Sequence, residues 1–408
     1  MTSPHITLVR WVYVAIAVFA AVYIALDFNA LYALRTNQNT GLYLQSLVNL
    51  VHSGTTFDQP DGKPHLAVHN QWLVLALAPL VALWPRPETM IVVQVLALAA
   101  SAIPLYLLVR DFGGPRGAGI ALALAWLVSP SLQGWAYNGF EPEHFVPLLA
   151  FSLALAVRHR SLTWTIVCAQ LLLGVKEDQA WFLAWFGALG ALWYDRRLGL
   201  VVLGLALLNG GAYYGIERAL GYSPERPHYG LVDREWPQQL SFLAEILVPF
   251  AFAPLTLGVR VLLALPFLVE LFFTQDRTYA MYRAGYYYTE PFVALVAVGA
   301  AFAIARRPFF ARYALGGAIA MALFFNTTVL HLGRHPFSPD PQYGAARAWA
   351  LSARPIDFPC PDEGAWTVAS ANPNARLVDC GKPTNRGRPA WKDVSLASPA
   401  TWTRGPQR

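Results

Sequence analysis

Apolar runs of roughly membrane-spanning length recur along the whole chain, separated by short polar gaps. They lie near 9–27, 89–109, 117–134, 144–157, 161–175, 179–193, 198–216, 238–256, 259–274, 290–305 and 313–330. A helix needs about 20 apolar residues to cross a bilayer, and fewer inside a bundle, so this pattern predicts an all-α, polytopic transmembrane bundle of about eleven spans. Composition points the same way: 56% hydrophobic and 13% charged residues in 408 describe a membrane chain rather than two or three soluble domains. The apolar run 72–84 is too short for a span. It is bracketed by His69-Asn70-Gln71 and Pro85-Arg86-Pro87-Glu88, which predicts a re-entrant or interfacial helix.

Between the runs 161–175 and 179–193 stand Lys176, Glu177 and Asp178, side by side. One ionised side chain at a bilayer centre costs about 2.5–3.5 kcal/mol even on the lenient insertion scale, so three together must lie at a membrane surface or in a wet, protein-lined cavity. What the triplet does depends on which other groups share its side.

Charge decides the sides. With the N-terminus cytoplasmic, the inner gaps hold Arg10, Arg110, Arg116, Arg158, Arg160, Arg196, Arg197, Arg260, Arg306, Arg307 and Arg312 against Asp111 and Asp195 alone, as the positive-inside rule requires. Counting 72–84 as a crossing would invert every later loop and break that rule. The same distribution argues against a nucleic-acid surface, although the net charge is +6. The first apolar run is too long for a cleavable signal and is read as a retained span. Residues 1–330 then form the transmembrane domain, 331–382 a small extracytoplasmic C-terminal appendage and 383–408 a flexible basic tail. Cys168 falls in an apolar run and is read as a buried core residue, whereas Cys360 and Cys380 could pair if their segment is exported.

The outer loops receive the acids, histidines and tyrosines. In the first, Leu42, Gln45, Ser46 and Asn49 form polar and apolar stripes, as in a helix lying on the membrane surface. Phe57-Asp58-Gln59-Pro60-Asp61-Gly62 is turn chemistry and reads as a solvated hairpin turn, with Asp58 as a reserve acid. His65 and His69 follow. The second loop carries Glu141-Pro142-Glu143-His144, which could hold a divalent cation, supply a general base with its orienting partner, or simply start a helix where the dipole favours acids. In the loop 275–290, Arg277, Arg283 and Tyr288 suit an anionic phosphate, and the tyrosines alone suit an aromatic belt. Glu245 and Glu270 lie within apolar runs. Walker, dinucleotide-binding, zinc and nucleophile-elbow signatures do not occur, nor does a regular repeat.

Gly41-Leu42-Tyr43-Leu44-Gln45-Ser46-Leu47, Leu66-Ala67-Val68-His69 before an apolar run ending Ala78-Pro79-Leu80, Pro104-Leu105-Tyr106-Leu107-Leu108, Val175-Lys176-Glu177-Asp178 and Tyr288-Thr289-Glu290-Pro291-Phe292 together resemble a bacterial membrane family known as domain of unknown function 2079. The resemblance covers about residues 30–300, with a weaker echo at Thr367-Val368-Ala369-Ser370-Ala371-Asn372. That family is similar to GT-C glycosyltransferases, multi-spanning enzymes that take sugar from a polyprenyl-phosphate donor at the outer face. The resemblance implies a bacterial inner-membrane location and an acid in the first outer loop acting as base or metal ligand. The family's usual acids fall on Asn39 and Leu44, neither of which can take a proton.

The expectation is therefore a glycosyltransferase-like membrane protein of GT-C architecture. Glu141, Glu143, His144 and Asp58 are its candidate catalytic groups, with Mg or Mn at Glu141 and Glu143. Lys176, Arg277, Arg283 and Tyr288 would contact donor phosphate, while Glu177, Asp178, His69 and Asn39 orient. Two alternatives stay open: a non-catalytic accessory subunit bound to partner membrane proteins, which the loss of acids at Asn39 and Leu44 favours, and a transporter using Glu245 and Glu270, which the lack of a repeat disfavours.

Overall fold

The computed structural model describes residues 4–36, 38–58, 63–137, 139–221, 236–273, 287–325, 337–352, 356–359 and 363–378. Helices occupy every one of the apolar runs. In chain order they are α1 (Pro4–Tyr32), α2 (Gln38–Ser53), α3 (Ala78–Leu83), α4 (Pro87–Ala100), α5 (Ala102–Asp111), α6 (Arg116–Val128), α7 (Pro130–Ala136), α8 (Val146–Arg158) and α9 (Leu162–Leu173). There follow α10 (Asp178–Trp193), α11 (Arg196–Ala219), α12 (Trp236–Leu247), α13 (Leu265–Phe273), α14 (Glu290–Arg306), α15 (Phe310–Phe325), α16 (Tyr343–Ala350) and α17 (Glu363–Ala369). Strands are few: β1 (Phe57–Asp58) pairs antiparallel with β2 (Lys63–Pro64), and β3 (Ile356–Pro359) pairs parallel with β4 (Ala375–Val378).

Among the described residues, four helical stretches are long and apolar enough to cross a membrane: Arg10–Tyr32, Pro87–Asp111, Arg196–Ala219 and Ala253–Phe273. A fifth, Arg116–Val128 with Pro130–Ala136, is bent by 50°. The chain is thus an all-α membrane-type bundle, and most of its remaining apolar helices are shorter than a full crossing. Local chemistry explains the breaks. Pro130 excludes the helical conformation at Ser129, which is extended, and the Ser129 hydroxyl then caps the next helix at Leu132 N. Between α4 and α5, the Ser101 hydroxyl bonds back to Leu98 O and Pro104 withholds an amide three residues on. The apolar runs 238–256 and 259–274 divide earlier than their spacing predicts. After α12 and a 3-10 turn at Val248–Phe250, left-handed Ala251 and Phe252 break the chain before Pro254.

Two expectations for the first outer loop are corrected. The helix α2 does not lie on a membrane surface: Leu44, Leu47 and Val48 are buried on one face, and Gln45, Ser46 and Asn49 are buried as well. Its polar stripe is used internally, with Ser46 Oγ donating to Thr56 O at 3.0 Å and Asn49 Nδ2 to Phe57 O at 2.7 Å. The Asp58 hairpin is formed, but Asp58 is fully buried rather than solvated. Turn propensity places the bend and says nothing about what covers it.

The short run at 72–84 is a 3-10 stretch, Trp72–Leu77, followed by α3. It leans on the chain just before the charged triplet, where Leu73 N donates to Gly174 O at 2.9 Å. A Cβ on Gly174 would lie 2.4 Å from the Trp72 ring, so the close approach requires glycine there. The C-terminal segment returns to the same rim. Asp340 N donates to Tyr32 O, Tyr343 Oη donates to Glu88, and Trp366 of α17 is buried where a Cβ on Gly41 of α2 would meet it at 2.6 Å. Residues 379–408, and with them the expected tail and the Cys360–Cys380 pairing, lie outside the described residues. Cys168 is buried with a free thiol.

Candidate functional site: an acid cluster at one rim

The arginine-rich turns gather at one end of the bundle. Arg158 donates to Asp111 O, Arg260 and Arg306 both lie over the Phe302 ring, and Gly114 packs against Ala305. At another rim, six segments far apart in sequence bring carboxylates, imidazoles and one lysine together.

Lys176 Nζ donates to Glu143 Oε1 at 2.8 Å, with both side chains buried, and its charge lies 4.1 Å from the centre of the Tyr288 ring. Asn39, on α2, donates through Nδ2 to Glu141 Oε1 at 2.6 Å. This contact bears on the replaced acid. The position at which the resemblance expects a carboxylate holds an amide, and that amide touches a carboxylate supplied by a different loop. Burial first, and the charge of Glu143 second, push Glu141 well above the usual carboxylate range, while the Asn39 hydrogen bond and Lys176 draw it back.

The Glu141–His144 segment is a 3-10 turn opened by Pro142, with left-handed Gly139 just before it. His144 has both ring nitrogens engaged: Nδ1 with Glu290 at the start of α14, and Nε2 with Gly139 O at 3.1 Å. A carbonyl only accepts, so Nε2 carries a hydrogen. His144 thus ties α14 to this loop.

The Glu177 carboxylate is held by two partners, His69 Nδ1 at 2.9 Å and the Asn70 amide at 3.0 Å. Burial alone would raise its pKa, but the hydrogen bond and charge of His69, helped by Lys176, outweigh burial and hold it down to about 2. Asp178 accepts from Gln179 at 2.9 Å and opens α10. Glu270 of α13 is near enough to feel both Asp178 and Lys176. Asp58 faces His65 Nδ1 at 3.5 Å. His65 Nε2 and Tyr43 Oη meet at Gln71 Oε1, at 2.6 and 3.1 Å, which fastens the hairpin to α2.

Of the residues singled out from sequence, the structure brings Asn39, Asp58, His69, Glu141, Glu143, His144, Lys176, Glu177, Asp178 and Tyr288 to this rim. Arg277 and Arg283 lie outside the described residues. Sequence reasoning did not single out Tyr43, Gln71 or Glu290 as site residues. Glu290 carried a usable signal, since an acid opening an apolar helix directly after Tyr288-Thr289 invites a partner. Among the described residues, no group of three or more histidine, cysteine, aspartate or glutamate side chains is placed to hold a metal ion. Glu141 and Glu143 offer a two-carboxylate set, and Glu143 keeps a buried oxygen, Oε2, with no hydrogen-bond partner among the described residues.

Residues 30–214 match the profile of a family described as a predicted membrane protein (DUF2079). The match contains Asn39, Glu141, Glu143 and the Lys-Glu-Asp triplet, and ends short of Tyr288 and Glu290. Among curated proteins no match is found.

Proposed function

We propose that the chain is a glycosyltransferase of GT-C architecture, with about eleven membrane segments, that takes sugar from a polyprenyl-phosphate donor at the extracytoplasmic rim. The observation that carries this reading is the Asn39–Glu141 contact, which puts a carboxylate beside the position where the resemblance requires one. Glu141 takes the proton of an acceptor hydroxyl as its oxygen bonds to the sugar's anomeric carbon, and the bond from that carbon to the phosphate oxygen breaks. A proton affinity raised by burial makes Glu141 a stronger base than a surface glutamate. Lys176 fixes Glu143 and, with Tyr288, Arg277 and Arg283, faces the donor's phosphate. Glu141 and Glu143, oxygen donors of the kind a hard cation prefers, would be the residues to hold Mg or Mn, and such an ion would supply positive charge against the donor phosphate.

The test uses the full chain in lipid nanodiscs, with polyprenyl-phosphate-linked hexoses as donors and released polyprenyl phosphate as the readout. Wild type should release the lipid phosphate, and Glu141→Gln should lose the release by about 100-fold or more, as for removal of a general base. Failure of the wild type to bind or turn over any such donor would end this reading. One observation favours a second reading, a non-catalytic subunit of a membrane complex: Glu141 and Glu143 are only 1% and 2% exposed, closed off from bulk water. A stoichiometric partner co-purifying from native membranes, with no polyprenyl phosphate, would support it.

A further inference from the structure

Most titratable groups at this rim have their polar atoms engaged. Glu143 holds Lys176, Glu141 holds Asn39, and His144 uses both nitrogens. Even Lys176, the natural phosphate contact, directs its ammonium to Glu143 and the Tyr288 ring, with a side chain 8% exposed. His69 differs. Its side chain is 22% exposed, its Nδ1 is fixed by Glu177, and its Nε2 has no partner among the described residues.

The pair is built rather than incidental. Glu177 is anchored by the Asn70 amide, and Asn70 Nδ2 donates in turn to Leu173 O at 3.3 Å. Tyr213 Oη of α11 donates to Val68 O at 2.9 Å and holds the strand of chain just before His69. An ionised carboxylate accepts only, so the Glu177 contact requires a hydrogen on Nδ1 and leaves Nε2 as the ring nitrogen available to a ligand. The surroundings set its charge. Glu177 faces the ring directly, His65 lies 5.9 Å away ring to ring, and Glu177 in turn interacts with Lys176 and with Glu217 of α11, which Lys63 accompanies. With Nδ1–H given to Glu177, a proton carried on Nε2 is free to be donated to a phosphate oxygen.

We propose that His69, oriented by Glu177, also touches the donor phosphate and passes its Nε2 proton to the departing phosphate oxygen. This rests on the glycosyl-transfer reading and adds the acid that reading lacks. As the bond between the anomeric carbon and phosphate oxygen breaks, that oxygen takes the Nε2 proton. The acceptor's proton goes to Glu141, and His69 recovers a proton from the water its exposed edge meets. Glu177 is a positioning residue.

The test is protection of His69 from carbethoxylation by diethyl pyrocarbonate, read site by site by mass spectrometry on the full chain in phosphatidylcholine nanodiscs, with and without undecaprenyl phosphate. Lipid retention is followed in parallel by native mass spectrometry. His69 should be modified without the lipid and protected at least fivefold with it, while His159, which is paired with Asp111 among the arginines, keeps its rate. Glu177→Gln should reduce the protection, because the ring is no longer aimed, yet leave the lipid bound. Undecaprenyl phosphate retained with His69 modified equally in both samples, or His69 unreactive without the lipid at every pH from 6 to 9, overturns the assignment and leaves glycosyl transfer standing. A wild type that retains no undecaprenyl phosphate overturns the glycosyl-transfer reading, and the assignment with it.

Discussion

Replacing Lys176 by Met tests the physical core of the site. The ammonium and the Glu143 carboxylate are 2.8 Å apart and nearly closed off from water. At an effective dielectric near 20, such a pair attracts by about 6 kcal/mol. Withdrawing two ions from water opposes this by several kcal/mol each, so the net value of the intact pair is small. Removing only one partner is different, because it leaves a buried charge with nothing to balance it, at a cost of about 3–5 kcal/mol. The Tyr288 ring adds a cation–π contact worth about 1–2 kcal/mol that Met also loses. Lys176→Met should therefore destabilise by about 3–5 kcal/mol, and Glu143→Gln by a similar amount. The double variant should lose less than the sum, with a coupling of about 2 kcal/mol or more. Unfolding in mixed micelles of rising dodecyl sulfate fraction, followed by tryptophan fluorescence, measures all four proteins. Single variants within about 1 kcal/mol of wild type, or losses that simply add, would show that the two groups are not a desolvated pair.

Three further outcomes follow from other contacts. Glu177 titrates near 2 folded and near 4.5 unfolded, so its stabilisation is fully present above 4.5 and is lost as pH falls from 4.5 towards 2. Glu177→Gln should accordingly cost about 3 kcal/mol at pH 7 and under about 0.5 kcal/mol at pH 2, which unfolding at both pH values checks. Because Glu141 sits above the usual carboxylate range, transfer should increase with pH through an apparent pKa higher than that of a surface glutamate. A rate profile that is flat from pH 5 to 8 would contradict the base assignment. Gly41→Leu drives a side chain into Trp366 and the Thr367 backbone, and should loosen α17 at a cost of about 1–3 kcal/mol. Limited proteolysis of the C-terminal segment reads that loss, and unchanged protection would refute the packing.

The rim was legible in the sequence because lipid is an unforgiving solvent. Three adjacent charges in an apolar frame can occupy few places, so Lys176, Glu177 and Asp178 stood out, and the structure gives Lys176 and Glu177 partners in Glu143 and His69. Pairings within the rim were not legible, since they span long separations: Asn39 with Glu141 and His69 with Glu177 meet only after the bundle closes. Asp58 was misread as solvated because Pro60 and Gly62 report the bend and not the α2 face packed over it. The helix α2 was misplaced for a related reason, since an amphipathic stripe looks the same whether its polar face meets water or a buried hairpin.

Sidedness is the claim on which the rest depends, and single cysteines at two exposed positions test it, with the native cysteines replaced by serine. One replaces His52, exposed at the C-terminal end of α2, the helix that carries Asn39. The other replaces Arg160, among the arginines, where its side chain is 72% exposed. In intact cells a membrane-impermeant maleimide should label His52→Cys and spare Arg160→Cys until the membrane is opened. Labelling of both from outside, or of Arg160→Cys alone, would contradict an extracytoplasmic site.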